Sequence, residues 1–326
     1  MAKDGILLES GTNEVEILEF HLQDQSFGVN VLKIQAIEQY DRKRVTVMPM
    51  AHPSVAGMFL FREHTIPLID LGAELDIPQL QAQNLEDEDQ QKQDQRIVLV
   101  MEFNGMTTSF VVDGVNRIHR ISWEQISSLS PMIAESSAEF TGSVNIEKRE
   151  ILIVDIEKVV AQILPSARMD YLGDKQVEHP KQSSRPDVKI VLAEDSSAIR
   201  AMITSVLEKS GYTDLTCFGN GKDAYEKILE YKAQAEQNNC GIDKYLTLVV
   251  TDIEMPQMDG LTLCRTIKHS LGLPNLPVVM FSSLINEQTA DKCRAVGADG
   301  WVSKPSINEM VAMIDSLCLE QVPGQA

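Results

Sequence analysis

Leu246-Thr247-Leu248-Val249-Val250-Thr251-Asp252-Ile253-Glu254-Met255-Pro256 is a short apolar run that closes on an acid and then on proline. A run of four to eight aliphatic residues bounded this way predicts a buried strand of a parallel sheet. The same grammar recurs on both sides of it. Val188 to Ala193 runs into Glu194-Asp195, Pro277 to Phe281 into Ser282-Ser283, and Gly300 to Val302 is soon followed by Lys304-Pro305. Asp214 to Phe218 supplies one more strand. Helical stretches follow each in turn: Ser197 to Lys209, Gly221 to about Gln237, Leu261 to His269, Asn286 to Val296 and Ile307 to Leu319. Five βα units over residues 187–320 predict an α/β domain with a doubly wound, five-stranded parallel sheet. Ligands of such folds bind beyond the carboxyl ends of the strands. Glu194, Asp195, Asp252, Ser282 and Lys304 all fall there, so they are expected to share one crevice.

Those residues suit phosphoryl transfer to a carboxylate. Glu194, Asp195 and Asp252 would repel one another unless a hard cation sat among them, and Mg²⁺ takes such oxygen ligands. Asp252 is the expected nucleophile. Lys304 offers a mobile point charge able to pair first with Asp252 and then with the phosphate. The Ser282 hydroxyl is placed to bond a phosphate oxygen and register its arrival. Singly these residues carry little, since an acidic pair at a strand end is most often a solvated loop. Their order along the strands is what carries the argument.

On those motifs, with Met255-Pro256 and Met258-Asp259-Gly260 completing the loop after the acceptor, the segment from Asp187 to about Leu319 resembles a response-regulator receiver domain, of flavodoxin-like fold. The resemblance implies Glu194 and Asp195 as metal-binding acids, Asp252 as phospho-acceptor, and the Glu254 backbone carbonyl as a further metal ligand. It implies the switch hydroxyl at Ser282, the conserved-type lysine at Lys304, a rotating aromatic at Trp301, and a cis Lys304-Pro305 bond. Three positions depart from the usual pattern. Glu254 puts an acid where many receivers carry a neutral side chain, Ser283 replaces Ala or Gly, and Trp301 is bulkier than Tyr or Phe. A carboxylate beside an acyl phosphate is expected to hinder the attacking water and slow self-dephosphorylation. The segment from Asp223 to Lys244 is also longer than the usual second helix and loop.

The chain has 326 residues, enough for two or three domains, and a formal charge of -19. With no Lys/Arg-rich run, that field disfavours nucleic acid and anionic lipid as partners. Neither a signal peptide nor an apolar run long enough for a membrane span is legible, so no direct membrane insertion is expected. Five cysteines, none in a C-x-x-C pair, suggest reduced structural thiols and a cytoplasmic protein. Residues 166–186 are polar and proline-punctuated, as in an interdomain linker. Gln79 to Gln95, with Glu86-Asp87-Glu88-Asp89, reads as a solvated loop.

Residues 10–165 obey a different pattern, of short alternating segments. Ile97 to Phe103 turns at Asn104-Gly105 into Met106 to Val112, a strong hairpin signal. The pattern repeats at an offset of a little over eighty residues. The hairpin around Phe27-Gly28-Val29 has its counterpart around Phe110-Val111-Val112. Met58 to Phe61 followed by Ile66 to Leu71 is echoed by Gly142 to Asn145 and Ile151 to Ile156. This predicts an all-β half of two similar small barrels in tandem. Its histidines (His21, His52, His64, His119) lack metal-ligand spacing, and no nucleophile motif is present. Pattern without chemistry suggests an interaction module.

Pro53-x-x-x-Gly57, then Phe59-Leu60-Phe61-Arg62 before Ile66-Pro67-Leu68-Ile69-Asp70-Leu71, is similar to the CheW coupling-domain family over roughly Glu14 to Leu164. The resemblance implies that Arg62, at a hairpin tip, contacts receptor and kinase; Glu63 stands where a glycine usually follows. A CheW-like domain followed by a receiver resembles the CheV family of chemotaxis coupling proteins. That implies an adaptor rather than an enzyme, cytoplasmic and associated with chemoreceptor arrays, whose partners are the chemoreceptor tips and the histidine kinase CheA. A phosphate sink for CheA, tethered to the arrays, is the alternative. A phosphohydrolase of haloacid-dehalogenase type would want a second Asp where Glu254 stands.

Overall fold

The computed structural model describes residues 11–49, 51–77, 95–127, 139–163, 185–304 and 306–319. The chain divides into two compact units, one built on Val15–Ile121 and Gln125–Met169, the other principally on Asp170–Ala326.

The first unit has two antiparallel-rich sheets. One contains β1 (Glu14–Leu22), β2 (Gln25–Asn30), β9 (Gly114–Ser122), β10 (Phe140–Ile146) and β11 (Arg149–Val154), in the order β10-β11-β2-β1-β9. The other contains β3 (Ile34–Gln39), β4 (Val45–Thr46), β5 (Val55–Phe61), β6 (His64–Asp70), β7 (Ile97–Phe103) and β8 (Met106–Val112), in the order β3-β7-β8-β6-β5-β4. Two small β units are therefore present, but their strands are exchanged rather than sequential. The late hairpin β10-β11 joins the early β2 through a parallel pairing of Leu152 with Phe27. The early hairpin β5-β6 joins the late β8 through the parallel pairing of Leu68 with Ser109. Each copy of the repeat thus completes its sheet with a hairpin from the other copy.

The alternation in β7 shows how one strand serves two cores. Leu99 and Met101 face a cluster with Phe20, Phe27, Phe110 and helix α2 (Ile156–Ile163), whereas Val98 and Val100 face Phe59, Leu68 and Val111. Successive side chains point to opposite faces, which is why this strand is apolar nearly throughout. Asn104 and Gly105 both have positive φ, 52° and 68°, as a type I′ hairpin needs. Gly57 has φ +146°, and a Cβ there would lie 2.5 Å from the Thr46 carbonyl oxygen of β4. Glycine is required by that approach. At the N-terminal end of helix α1 (Leu71–Glu74), the Asp70 carboxylate accepts a bond from the Ala73 N–H.

The second unit contains an all-parallel sheet of β12 (Lys189–Ala193), β13 (Asp214–Phe218), β14 (Leu248–Thr251), β15 (Val278–Ser282) and β16 (Gly300–Ser303), ordered β13-β12-β14-β15-β16. Its helices are α3 (Ser197–Ser210), α4 (Gly221–Gln237), α5 (Gly260–Arg265), α6 (Glu287–Ala295) and α7 (Ile307–Cys318). Two cores result, one on each sheet face. Val191, Val249 and Met280 pack with α4, α5 and α6; Leu192, Val250 and Phe281 pack with α3 and α7.

Two details depart from the sequence expectations. The helix expected to end at His269 is α-helical only to Arg265, then widens into a π-turn over Thr266–Ser270. Within that turn the buried Lys268 Nζ donates to the Pro274 and Leu276 carbonyls and to Asp299. Arg185, expected in the linker, is instead buried, donating to the Asp315 carboxylate and the Ser210 carbonyl. Most of residues 166–186, and of the acidic loop at 79–95, lies outside the described residues. All five cysteines are free thiols; burial pushes Cys264 and Cys293 up to about 12.

Candidate functional site at the strand ends

The apolar strands β12 and β14 cannot continue into charged residues within the core, so they release Glu194-Asp195 and Asp252 at the sheet's carboxyl edge. Carboxylate oxygens of Glu194, Asp195 and Asp252 all lie within 4.8 Å of one another. Lys304, just past β16, bridges two of them. Its Nζ is 2.8 Å from Asp252 Oδ2 and 2.8 Å from Glu194 Oε2. The other Asp252 oxygen accepts from the Ile253 N–H at 2.6 Å. Glu194, Asp252 and Lys304 are all buried.

Burial pushes the Glu194 carboxyl up to about 8, and repulsion from Asp252 and Asp195 adds to this; Lys304 offsets only part of it. Two acids with one lysine between them are thus undercompensated. The donor set is all oxygen, the chemistry preferred by a hard divalent cation. Among the described residues the carboxylates fit such an ion, and a cation would relieve the repulsion that raises Glu194.

Ser282 ends β15 and is fully buried, with its Oγ accepting from the Leu284 N–H at 3.4 Å. Its carbonyl accepts from the Lys304 N–H at 3.1 Å, so serine and lysine are fastened together. Trp301 stands on the edge strand β16, opposite Met280, and is half-buried against the core that contains α6. Gly260 explains the loop motif: a Cβ there would sit 1.9 Å from the Asp252 carbonyl oxygen. Asp259 beside it caps α5 through the Thr262 N–H and hydroxyl, and burial raises its carboxyl to about 6. Pro305 lies outside the described residues, and with it the expected cis bond.

Arg200 is a site residue that sequence reasoning missed. From the first turn of α3 its Nη1 donates to the Glu194 carbonyl at 2.5 Å and to the Asp195 carbonyl at 3.3 Å. The signal was an arginine one helical turn after the acidic pair, where it can turn back on the loop. Arg62 is separate, in the first unit. It is exposed at the β5–β6 turn with φ 53°, its guanidinium 4.8 Å from the Phe61 ring centroid. Glu63 has no positive φ, so that turn does not need the missing glycine.

Two family matches divide the chain as its geometry does. Residues 16–164 match the CheW-like domain family, and residues 190–315 match the response regulator receiver domain family. Chemotaxis protein CheV3 of Helicobacter pylori is 25% identical over 304 residues, covering 90% of this chain and 91% of that protein. Chemotaxis protein CheV2 of the same organism is 25% identical over 308 residues, with 93% and 94% covered. The receiver domain of the Francisella response regulator 1452 is 25% identical, with a TM-score of 0.33, covering 40% of this chain and 95% of that one. Among the described residues, no helix is long and apolar enough to cross a membrane. The chain joins a CheW-like domain to a response regulator receiver domain, and it is a homologue of the CheV chemotaxis proteins along nearly its whole length.

Proposed function

We propose that this protein is a chemotaxis adaptor, coupling chemoreceptor tips to the histidine kinase CheA and regulated by phosphorylation of Asp252. The observation that carries the regulatory half is the cluster of Glu194, Asp195 and Asp252 around Lys304, with Ser282 beside it. In this reading Glu194, Asp195, Asp252 and the Glu254 carbonyl hold Mg²⁺. The ion, when bound, neutralises phosphoryl oxygens and lowers the cost of bringing them to a carboxylate.

An Asp252 oxygen attacks the phosphorus of a phosphohistidine donor. The new P–O bond forms as the P–N bond breaks, and the histidine nitrogen keeps the electron pair. Lys304 Nζ, already 2.8 Å from Asp252, transfers its pairing to a phosphoryl oxygen. Ser282 turns its hydroxyl from Leu284 N–H toward another. The added charge of roughly -1.5 to -2 is thereby drawn to β15 and β16.

The coupling half rests on Arg62 at its exposed turn and on exposed apolar side chains of the same sheet, Ile37 and Leu60 among them. An adaptor held at receptor arrays on the cytoplasmic side follows from that reading. The deciding experiment is transfer of label from autophosphorylated CheA, with Mg²⁺, to the wild-type protein and to Asp252→Asn. Rapid labelling of the wild type alone is expected. No labelling of the wild type, even from a small phosphodonor, would overturn the regulatory reading. Turnover of a small phosphomonoester would show an enzyme instead. Labelling without any effect of Asp252→Asn on kinase coupling would leave a phosphate sink.

A further inference from the structure

We propose that Arg294 is a positioning residue for Trp301, holding the indole against α6 and setting how readily a change at Asp252 reaches the sheet edge. The proposal rests on the phospho-acceptor reading above. The Arg294 guanidinium carbon lies 5.4 Å from the Trp301 ring centroid, within cation–π range. Its Nη1 also donates to Asp291 Oδ1 at 2.5 Å, one turn earlier on the same helix. Asp291 therefore holds the guanidinium that also lies over Trp301.

The position of this pair in the fold gives it a role. Residues 282–286 connect Ser282 to α6, whose N-cap Asn286 accepts from the Thr289 N–H at 2.9 Å. The inner face of α6 is locked into the core by Thr289 and Cys293, so the helix follows its packing as one body. Gly297, with φ +86°, then reverses the chain, and the Ala298 N–H bonds the Cys293 carbonyl. The C-terminal turn of α6 is thereby brought alongside β16. Two routes therefore run from Ser282 to Trp301. One is the ladder, where Ser282 pairs with Ser303 and Met280 with Trp301. The other is α6 and its Arg294. Trp301 is half-buried on an edge strand, not locked in the core, and the cation on its ring favours the present position. An exposed cation–π pair shifts such an equilibrium about two- to fivefold.

The test uses the full chain with Trp123→Phe, which leaves Trp301 as the one tryptophan of the original two. Should Trp123→Phe disturb folding, the Trp301→Phe protein serves instead as a blank against the native background. Arg294 is 65% exposed at its side chain, so Arg294→Ala leaves the core intact. Acrylamide quenching is measured first without phosphodonor, then the fluorescence change is titrated with Mg²⁺ and beryllofluoride. Arg294→Ala is expected to raise the quenching constant about twofold. It should also lower the half-saturating beryllofluoride about two- to fivefold, with Arg294→Lys between the two. Unchanged quenching, or changed quenching with an unmoved midpoint, overturns the proposal. A parent protein that gives no beryllofluoride response at all overturns the phospho-acceptor reading itself, and the switch with it.

Discussion

Glu19 in the first unit and Glu194 in the second are each 1% exposed, yet burial has opposite outcomes for them. Burial pushes Glu19 up, but bonds from His119, Arg149, Ser26 and Asn116 outweigh it and hold the carboxyl down at about 2. His119 Nε2 lies 2.7 Å from one oxygen; Arg149 Nη1 and the Ser26 hydroxyl reach the other. Four strands of one sheet are fastened around that ion. Among the described residues Glu194 has only a share of Lys304 and the Ser196 N–H, with two further acids close by. A buried carboxylate whose partners are complete is a structural fastening. One whose partners fall short is poised to take a proton or a cation.

Mutation should separate the two glutamates most strongly. Glu19→Ala leaves His119 and Arg149 facing an empty site, and is expected to cost the first unit about 2–3 kcal/mol in urea unfolding. Glu194→Gln removes a charge that burial disfavours, so metal-free stability should hold or rise. Its Mg²⁺ affinity should fall by at least about tenfold, the loss seen even for outer-shell changes. Equal destabilisation by both substitutions would break the comparison.

The pH dependence should then have opposite signs. Glu19 titrates lower when folded than its ordinary value of 4.5, so its stabilisation is complete above 4.5 and is lost as pH falls toward 2. Glu194 titrates higher when folded, so its contribution is present below 4.5 and is lost as pH rises toward 8 without metal. Hydrogen exchange at β1 and β12 amides reads the two units separately. Mg²⁺ should restore protection of β12 at pH 8 and leave β1 unaffected; a matching response in β1 would contradict the assignment.

The smallest effect sharpens the site itself. Glu254, two residues past Asp252, is the acid expected to hinder water at the acyl phosphate. Glu254→Gln should shorten the phospho-protein half-life about two- to fivefold, the scale of one partly screened charge. A lengthened half-life would assign Glu254 the opposite role.

Much of this was legible from local pattern. The strand-end placement of Glu194, Asp195, Asp252, Ser282 and Lys304 follows from apolar runs whose length sets where each strand must leave the core. The Asn104-Gly105 turn announces its hairpin because only a few residue types tolerate positive φ at both positions. Gly260 was visible as part of a motif, although its reason, an approach to the Asp252 carbonyl, was not.

What the sequence determined by itself was therefore set by residues near in the chain: strand ends, the Asn104-Gly105 turn, and which residues carry charge. Tertiary structure alone decided pairings between distant residues. The repeat announced two equivalent hairpins but not that β10-β11 would complete the sheet of β2, because either copy presents the same edge. Likewise, lysine chemistry announced a cation near Asp252, whereas its equal distance to Glu194 and Asp252 depends on how far β12, β14 and β16 carry their ends. Arg200 on the Glu194 carbonyl and Arg294 on Trp301 are close in the chain to their partners, yet packing settled them too. Long flexible cations have many reachable partners in an unfolded chain, and the packed helices leave them few.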